Sequence, residues 1–263
     1  MYEIKNIVRE NTLIKYGVIH GGNKSFIMLP GISLSCILAN IEAIESAYSE
    51  ILKEYTIYVF EHAEPQNDDY TMDEMVDNII YAIDQIGLSK SVVYGVSIGG
   101  MIALKIALKR RDLIENMVIV ASSARPNDNQ LKVLRHWEKM SNNYEIENLN
   151  RDFFETMFTS KYVSNNLNAL DSFIHNGTIE ECRCFSRVIR TMYDFDILED
   201  IRKIDIKTFV IGSELDPIFG ESASREIANA IGGDLYIYEG YSHAFYDEAP
   251  DFKHRVMNWL CGF

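Results

Sequence analysis

A serine with a glycine two residues away on either side is the first place in this sequence where the residue types suggest chemistry. The run is Val93-Tyr94-Gly95-Val96-Ser97-Ile98-Gly99-Gly100-Met101. A β-branched and aromatic stretch, Ser91 to Tyr94, stops at Gly95. A helical spacing then begins with Ile98, Ile102, Ala103, Ile106 and Ala107. Ser97 therefore stands on a turn between a strand and a helix, the G-x-S-x-G pattern of a nucleophile elbow. So tight a turn strains its central residue, and side chains at −2 and +2 would collide with neighbouring chain. The following helix aims unpaired N–H groups and its positive end at the point where an anion would form. The bare pattern also arises by chance, so the strand–helix context is what favours a nucleophile.

A serine hydroxyl needs a base, and histidine suits because its ordinary pKa, about 6.5, leaves it neutral yet able to accept a proton. Six histidines compete: His20, His62, His136, His175, His243 and His254. Choosing among them requires the elements that carry them.

Residues 2–9 and 12–20 alternate as two strands joined near Glu10-Asn11. His20-Gly21-Gly22 reads as a hairpin turn into a more apolar strand, Ser25 to Leu29, which ends at the loop Leu29-Pro30-Gly31-Ile32-Ser33. A helix is expected from about Ile37 to Lys53, followed by a strand from Thr56 to Phe60. A polar, acidic loop, Glu61 to Tyr70, precedes the capping box Thr71-x-x-Glu74 and a helix closed by Gly87. After the elbow and its helix comes a strand, Met117 to Ala121. Strands alternating with helices in this way indicate a mostly parallel sheet covered on both faces.

From Arg125-Pro126 the rhythm changes. Four helical segments are expected: Gln130–Met140, Asn150–Phe158, Asn165–Ile174 and Thr178–Tyr193, the last opened by Thr178-x-x-Glu181. Aromatics and methionines crowd here, among them Phe153, Phe154, Met157 and Phe158. An all-helical insertion between strands reads as a cap over residues 125–194, with 1–124 and 195–263 as the core domain. Most of its apolar residues would pack the cap against the body, while some must line the cavity it closes. The strand Ile206 to Gly212 then leads into Ser213-Glu214-Leu215-Asp216-Pro217. A helix (Glu221–Ile231), a strand (Asp234–Tyr238), the loop Glu239 to Ala244 and a last helix (Asp251–Leu260) complete the chain.

Sites in a parallel sheet form outside the C-terminal ends of strands. That demotes His136 and His175 in the insertion and His254 in the last helix. It leaves His243, past the final strand, and His62, past the fourth. The acid orienting the base should sit on a third such loop, where Asp216 is found; Glu214 and Asp247 are the alternatives.

Composition sets limits on partners. The 263 residues are 47% hydrophobic and 24% charged with a net charge of −14, ordinary for a soluble domain. The lack of basic clusters beyond Lys109-Arg110-Arg111 argues against nucleic acid or an anionic membrane as partner. No apolar run is long enough to span a bilayer, and the N-terminus lacks signal-peptide features. Cys36, Cys182, Cys184 and Cys261 have no zinc-ligand spacing and read as reduced thiols of a cytoplasmic protein.

With these residues placed, the chain resembles the α/β-hydrolases that carry a helical cap. The order Ser97, Asp216, His243 is that family's order. Leu29-Pro30-Gly31 resembles its oxyanion loop, Gly212 to Pro217 its acid loop, and Gly240-Tyr241-Ser242-His243 its histidine loop. The run Gly95 to Ala103 is similar to small-molecule members such as enol-lactone hydrolases. One motif departs: the family's Asp-x-x-Gly-x-Gly-x-Ser loop is replaced by Glu61 to Tyr70, which has no glycine. His62, at its start, reads as a surface-loop residue that could touch substrate.

The resemblance implies an eight-stranded sheet with the cap inserted after the strand that follows the nucleophile helix. It implies a serine hydrolase with a Ser97–His243–Asp216 triad and an oxyanion hole made by the backbone N–H groups of Ile32 and Ile98. Such chemistry requires no metal or organic cofactor. The expected substrate is a small ester, thioester or lactone with an apolar part, contacted by Phe153, Phe154, Met157 or Phe158. C–C bond hydrolysis, a lyase step, or a non-catalytic ligand receptor remain as alternatives. Arg125, Arg187 and Arg190 are candidates for a carboxylated substrate. Oligomeric state is not fixed by the sequence.

Overall fold

A computed structural model describes residues 1–62 and 69–262. Its strands are β1 (Tyr2–Arg9), β2 (Thr12–Ile19), β3 (Lys24–Leu29), β4 (Tyr55–Phe60), β5 (Ser91–Val96), β6 (Ile114–Val120), β7 (Lys207–Ser213) and β8 (Asp234–Tyr238). Its helices are α1 (Ile41–Ala47), α2 (Met72–Ile86), α3 (Ile98–Lys109), α4 (Asp128–Asn142), α5 (Ile146–Met157), α6 (Ser160–Asn165), α7 (Leu167–Ile174), α8 (Ile179–Arg190), α9 (Gly220–Ile231), α10 (Phe245–Glu248) and α11 (Phe252–Cys261). The strands form one sheet in the order β1-β2-β4-β3-β5-β6-β7-β8, antiparallel at β1/β2 and β2/β4 and parallel elsewhere.

The central strands read as continuous apolar runs because both faces are covered. On β5, Val93 packs toward Met75, Ile79 and Ile102 of α2 and α3. Val92 and Tyr94 pack on the opposite face with Ile41 of α1 and Phe252 and Val256 of α11. The parallel register sets Leu29 beside Gly95, Val96 beside Val120 and Ser213 beside Tyr238. The loops after β3, β5, β7 and β8 therefore emerge from one edge of the sheet.

Two expectations are corrected. The helix from Ile37 to Lys53 is broken into 3₁₀ turns at Ile37–Asn40 and Ile51–Lys53 around a short α1. Packing overrides periodicity there: Ile51 is fully buried, and Tyr48, at the C-cap of α1, turns inward to Tyr94. The Gly21-Gly22 segment is not a hairpin turn, because β2 pairs with β4 and not with β3. Both glycines instead lie hard against the backbone of residues 52–55, where any side chain would collide with the Glu54 or Tyr55 carbonyl. The third expected segment of the insertion is present as α7, and a short helix that the sequence did not indicate, α6, N-capped by Thr159, precedes it.

Both threonine caps are where the sequence put them, but only the first is a complete capping box: Thr178 accepts from the Glu181 N–H, while Glu181 takes the Thr178 hydroxyl and not its N–H. Thr71 accepts from the Glu74 N–H while Glu74 reaches back to the Thr71 N–H, and Gly87 ends α2 in the left-handed region. Five helices, α4 to α8, occupy the chain between β6 and β7. None of the four cysteines forms a disulfide, and no helix among the described residues is long and apolar enough to cross a membrane.

Candidate active site

Ser97 sits between β5 and α3 with φ 55° and ψ −121°, a backbone conformation costly for any residue but glycine. The surroundings hold it there. Its N–H donates to Val120 O (2.9 Å), and its carbonyl accepts from Ser122 Oγ (2.7 Å) and from the N–H of Gly100 (2.9 Å). A β-carbon on Gly95 would lie 2.6 Å from the Gly99 carbonyl carbon and 2.8 Å from Gly100 Cα. One on Gly99 would land on the Leu29 carbonyl oxygen and 2.6 Å from the Pro30 oxygen. The two flanking glycines are thus required by close backbone approach, as the spacing suggested.

The loops after β7 and β8 bring Asp216 and His243 together. His243 Nδ1 lies 2.9 Å from Asp216 Oδ2, and their side chains are only 1% and 2% exposed. Asp216 Oδ1 accepts the N–H groups of Ile218 (2.8 Å) and Phe219 (3.1 Å). With the carboxyl accepting on both oxygens, Nδ1 carries the proton and Nε2 is left as an acceptor. The Phe219 ring stands 5.5 Å from the imidazole, centre to centre. Glu214 instead accepts from the Gly240 N–H at the exposed surface, and Asp247 lies 3.8 Å from Lys253. Neither alternative acid touches His243.

The histidine loop is tied to the helical insertion. The Ala244 N–H donates to Met157 O (2.7 Å), Ser242 Oγ donates to Thr156 O (3.1 Å), and Glu248 accepts from the N–H and hydroxyl of Thr159. The end of α5 therefore sets where His243 stands.

Ser97 and His243 line the same cleft, with about 10 Å³ of free space, room for one water-sized group. Gly31, Ile32, Leu134, Trp137, Met157, Met192, Ile218 and Phe219 complete it. Gly31 approaches so closely that a β-carbon there would lie 3.3 Å from Ser97 Cβ. Ile32 lines this cleft with Ser97, Ile98 follows the serine in the chain, and neither N–H has an acceptor among the described residues. A cavity of about 390 Å³ adjoins the cleft, sharing Gly31, Ile32 and Met157 with it. Phe153, Phe154, Met157 and Phe158 all line this larger space.

Other sequence candidates fall elsewhere. Arg125 pairs with Glu226, Arg190 with Glu138, and Arg187 lies 3.9 Å from Glu180; none lines either cavity. His62 is partly buried, not a surface-loop residue, and residues 63–68 of its acidic loop lie outside the described residues. Its Nε2 is 3.1 Å from Gly31 O, and since a carbonyl only accepts, Nε2 carries the proton. Gly31 C=O and Ile32 N–H belong to one planar trans peptide and point opposite ways. A donor on the Gly31 oxygen thereby orients the Ile32 N–H. Nothing local in the sequence signals this contact, which spans 31 residues.

Burial is the main influence on His62 and holds its pKa below the ordinary 6.5; the neighbouring Glu61 carboxylate and the Gly31 and Pro30 carbonyls oppose it less strongly. An unfolded chain takes up this proton as pH falls through 6.5, whereas the folded one resists. The unfolded state then binds more protons, so stability declines with falling pH from 6.5 until the folded value is passed. His62→Gln, which keeps an N–H donor for Gly31, is expected to lack this part of the decline in urea unfolding between pH 7 and 5. Equal slopes for the two proteins would rule it out.

A model of the serine aminopeptidase S33 family, Hydrolase_4, matches residues 66–250. The chain belongs to this family. It is 24% identical over 222 residues, 81% of its length, to a protein of Caulobacter sp. strain K31 named as the carbamate hydrolase RutD, covering 83% of that protein. A RutD of Pseudomonas syringae pv. syringae is 20% identical over 76% of this chain and 82% of its own. Among solved structures, the enol-lactonase of Burkholderia xenovorans LB400 superposes with a TM-score of 0.85 at 17% identity, over 98% of this chain and 100% of its own. A meta-cleavage product hydrolase of Pseudomonas fluorescens IP01 gives 0.78 at 18% identity, over 98% and 97%. At such identities the structural matches establish the fold: this S33-family chain is an α/β-hydrolase, as its motif order implied.

Proposed function

We propose that this hydrolase cleaves a small, uncharged carboxylic ester, thioester or lactone through an acyl-enzyme on Ser97. The observation that carries this reading is the buried Asp216–His243 pair, whose free Nε2 shares a cleft with a serine held in a strained turn. In the proposed reaction Ser97 Oγ attacks the carbonyl carbon while its proton passes to His243 Nε2. Asp216 fixes the tautomer and stabilises the imidazolium. The N–H groups of Ile98 and Ile32 receive the oxyanion, each worth about 10²–10³-fold in turnover. As the C–O or C–S bond breaks, His243 returns the proton to the leaving group. Water, deprotonated by the same histidine, then releases the acid and regenerates Ser97. The helices of residues 125–194 serve as the cap over this site.

Both cavities lack an arginine, and the larger has mostly apolar walls, which favours an uncharged substrate with an apolar part. The relatives named as carbamate hydrolases fit the same scheme, since a carbamate presents the same electrophilic carbonyl. A panel of p-nitrophenyl acyl esters, with a p-nitrophenyl carbamate beside it, tests the reading. Turnover lost in Ser97→Ala supports it, and no Ser97-dependent turnover of any ester would overturn it.

Two residues around the nucleophile have expected effects of their own. Asp216→Asn should keep the fold but present the wrong imidazole tautomer, lowering kcat about 10⁴-fold; a loss below tenfold in steady-state kinetics would exclude Asp216 as the orienting acid. His62→Leu should lower kcat about tenfold with KM little changed, as expected when only the oxyanion donor is misaligned.

A further inference from the structure

The larger cavity has a polar floor that the cleavage reaction does not use. Phe153, Phe154, Phe158, Phe173 and Ile37 form its walls, whereas Tyr48 and Tyr94 lie at its base with their hydroxyl oxygens 3.1 Å apart. Two hydroxyls carry two protons, and their mutual bond uses one. The second has no acceptor among the described residues. Both phenols are more than nine-tenths buried, and that burial raises their pKa values far above the ordinary range, so both remain O–H donors. A buried donor without an acceptor is unfavourable, and a ligand oxygen placed against it relieves that cost.

We propose that the Tyr48–Tyr94 hydroxyl pair is a specificity site for a neutral hydrogen-bond acceptor, such as a ketone, ether or amide oxygen, at the far end of the substrate's acyl chain. The inference rests on the ester-hydrolase reading of Ser97. Length follows from the strand. Tyr94 stands on β5 three residues before Ser97, and the cavity it lines adjoins the Ser97 cleft, so an acceptor held by its hydroxyl lies several bonds beyond the scissile carbonyl. Charge follows from Asp247 at the cavity edge. Half of its side chain stays accessible, although crowding by the cavity walls raises its carboxyl above the usual range. When ionised it repels a terminal carboxylate. A terminal ammonium would meet Lys253, whose Nζ already lies 3.8 Å from Asp247 and donates to the Tyr246 carbonyl. An uncharged acceptor is the class left.

The test compares p-nitrophenyl octanoate, its 7-oxo analogue and the p-nitrophenyl monoester of suberic acid. The wild-type kcat/KM for the 7-oxo ester should exceed that for octanoate about tenfold, the worth of one satisfied buried hydrogen bond. The suberate monoester should be slowest. In Tyr48→Phe and in Tyr94→Phe the ratio of 7-oxo to octanoate should collapse toward one. The same comparison in Ser97→Ala, by titration calorimetry, reads binding without turnover. Absent turnover with a tenfold binding preference would refute the ester reading alone. Equal affinities, or a preference that survives in the Tyr48→Phe/Tyr94→Phe double variant, would overturn the specificity site.

Discussion

Replacing Ser97 with alanine is expected to lower kcat on an activated ester by on the order of 10⁵–10⁶-fold, because the step that forms the acyl-enzyme disappears with the hydroxyl. The fold should survive, since the bonds that place residue 97 come from its backbone: the N–H to Val120 O and the carbonyl to Ser122 Oγ. Ser97→Gly should be equally inactive and yet more stable. At φ 55° and ψ −121° the native residue carries strain of about 1–3 kcal/mol. Glycine releases that strain while adding about 0.5–1 kcal/mol of unfolded-state entropy. The net gain, on the order of 1 kcal/mol, should raise Tm by about 2–4 °C. Steady-state kinetics and thermal unfolding of both variants check this. A glycine variant less stable than the alanine one would show that the turn stores no strain.

Gly99→Ala should have the largest combined effect on stability and activity. The new methyl would fall on the Leu29 carbonyl oxygen and within 2.6 Å of the Pro30 oxygen. Both are backbone atoms at the end of β3, where Leu29 is paired with Gly95, so neither moves without breaking sheet pairing. Overpacking of this kind is expected to cost about 3 kcal/mol or more. Any accommodation displaces the Pro30–Ile32 loop and with it the Ile32 N–H, so surviving protein should lose about 10²–10³-fold in kcat. Gly232→Ala is the control. It also places a methyl on the chain, but at φ +75° with nothing within 4 Å, so only backbone strain of about 1 kcal/mol is expected. Urea unfolding and kcat measured on the two variants should separate them clearly. Equal losses would mean that close approach at Gly99 is not what the elbow requires.

The parts legible in the sequence share a property: each is written in a few consecutive residues. The Gly95-x-Ser97-x-Gly99 turn, the Thr71/Glu74 cap and the acid and histidine loops are strand–turn signals, and local geometry decides them. Asp216 is favoured over Glu214 and Asp247 by its place in the acid loop, and the structure agrees, since Asp216 is the one of the three that reaches His243 Nδ1. The features missed depend on contacts across long stretches of chain. His62 reaches the Gly31 carbonyl from 31 residues away, and Tyr48 meets Tyr94 across 46. The same inward turn of Tyr48 breaks the helix that periodicity alone would continue to Lys53. Leu134, Trp137 and Met192 lie far from Ser97 in the chain, and only the folded insertion brings them to it.

The wall of the larger cavity was partly readable. Phe153, Phe154, Met157 and Phe158, spaced i, i+1, i+4 and i+5, share one broad face of α5 and its end, and all four reach the larger cavity. Their density in one helix signalled a lined space, whereas the polar floor beneath it left no comparable mark. Tyrosines in a buried strand and beyond a short helix look like core until their hydroxyls are located.

The most direct test of the proposed nucleophile is covalent labelling by a fluorophosphonate, followed by intact mass and peptide mapping. The expected result is a single adduct on the peptide bearing Ser97, abolished in Ser97→Ala and strongly slowed in His243→Ala. An adduct on another residue, no adduct on the folded wild-type protein, or labelling indifferent to His243 would contradict a nucleophilic Ser97 activated by His243.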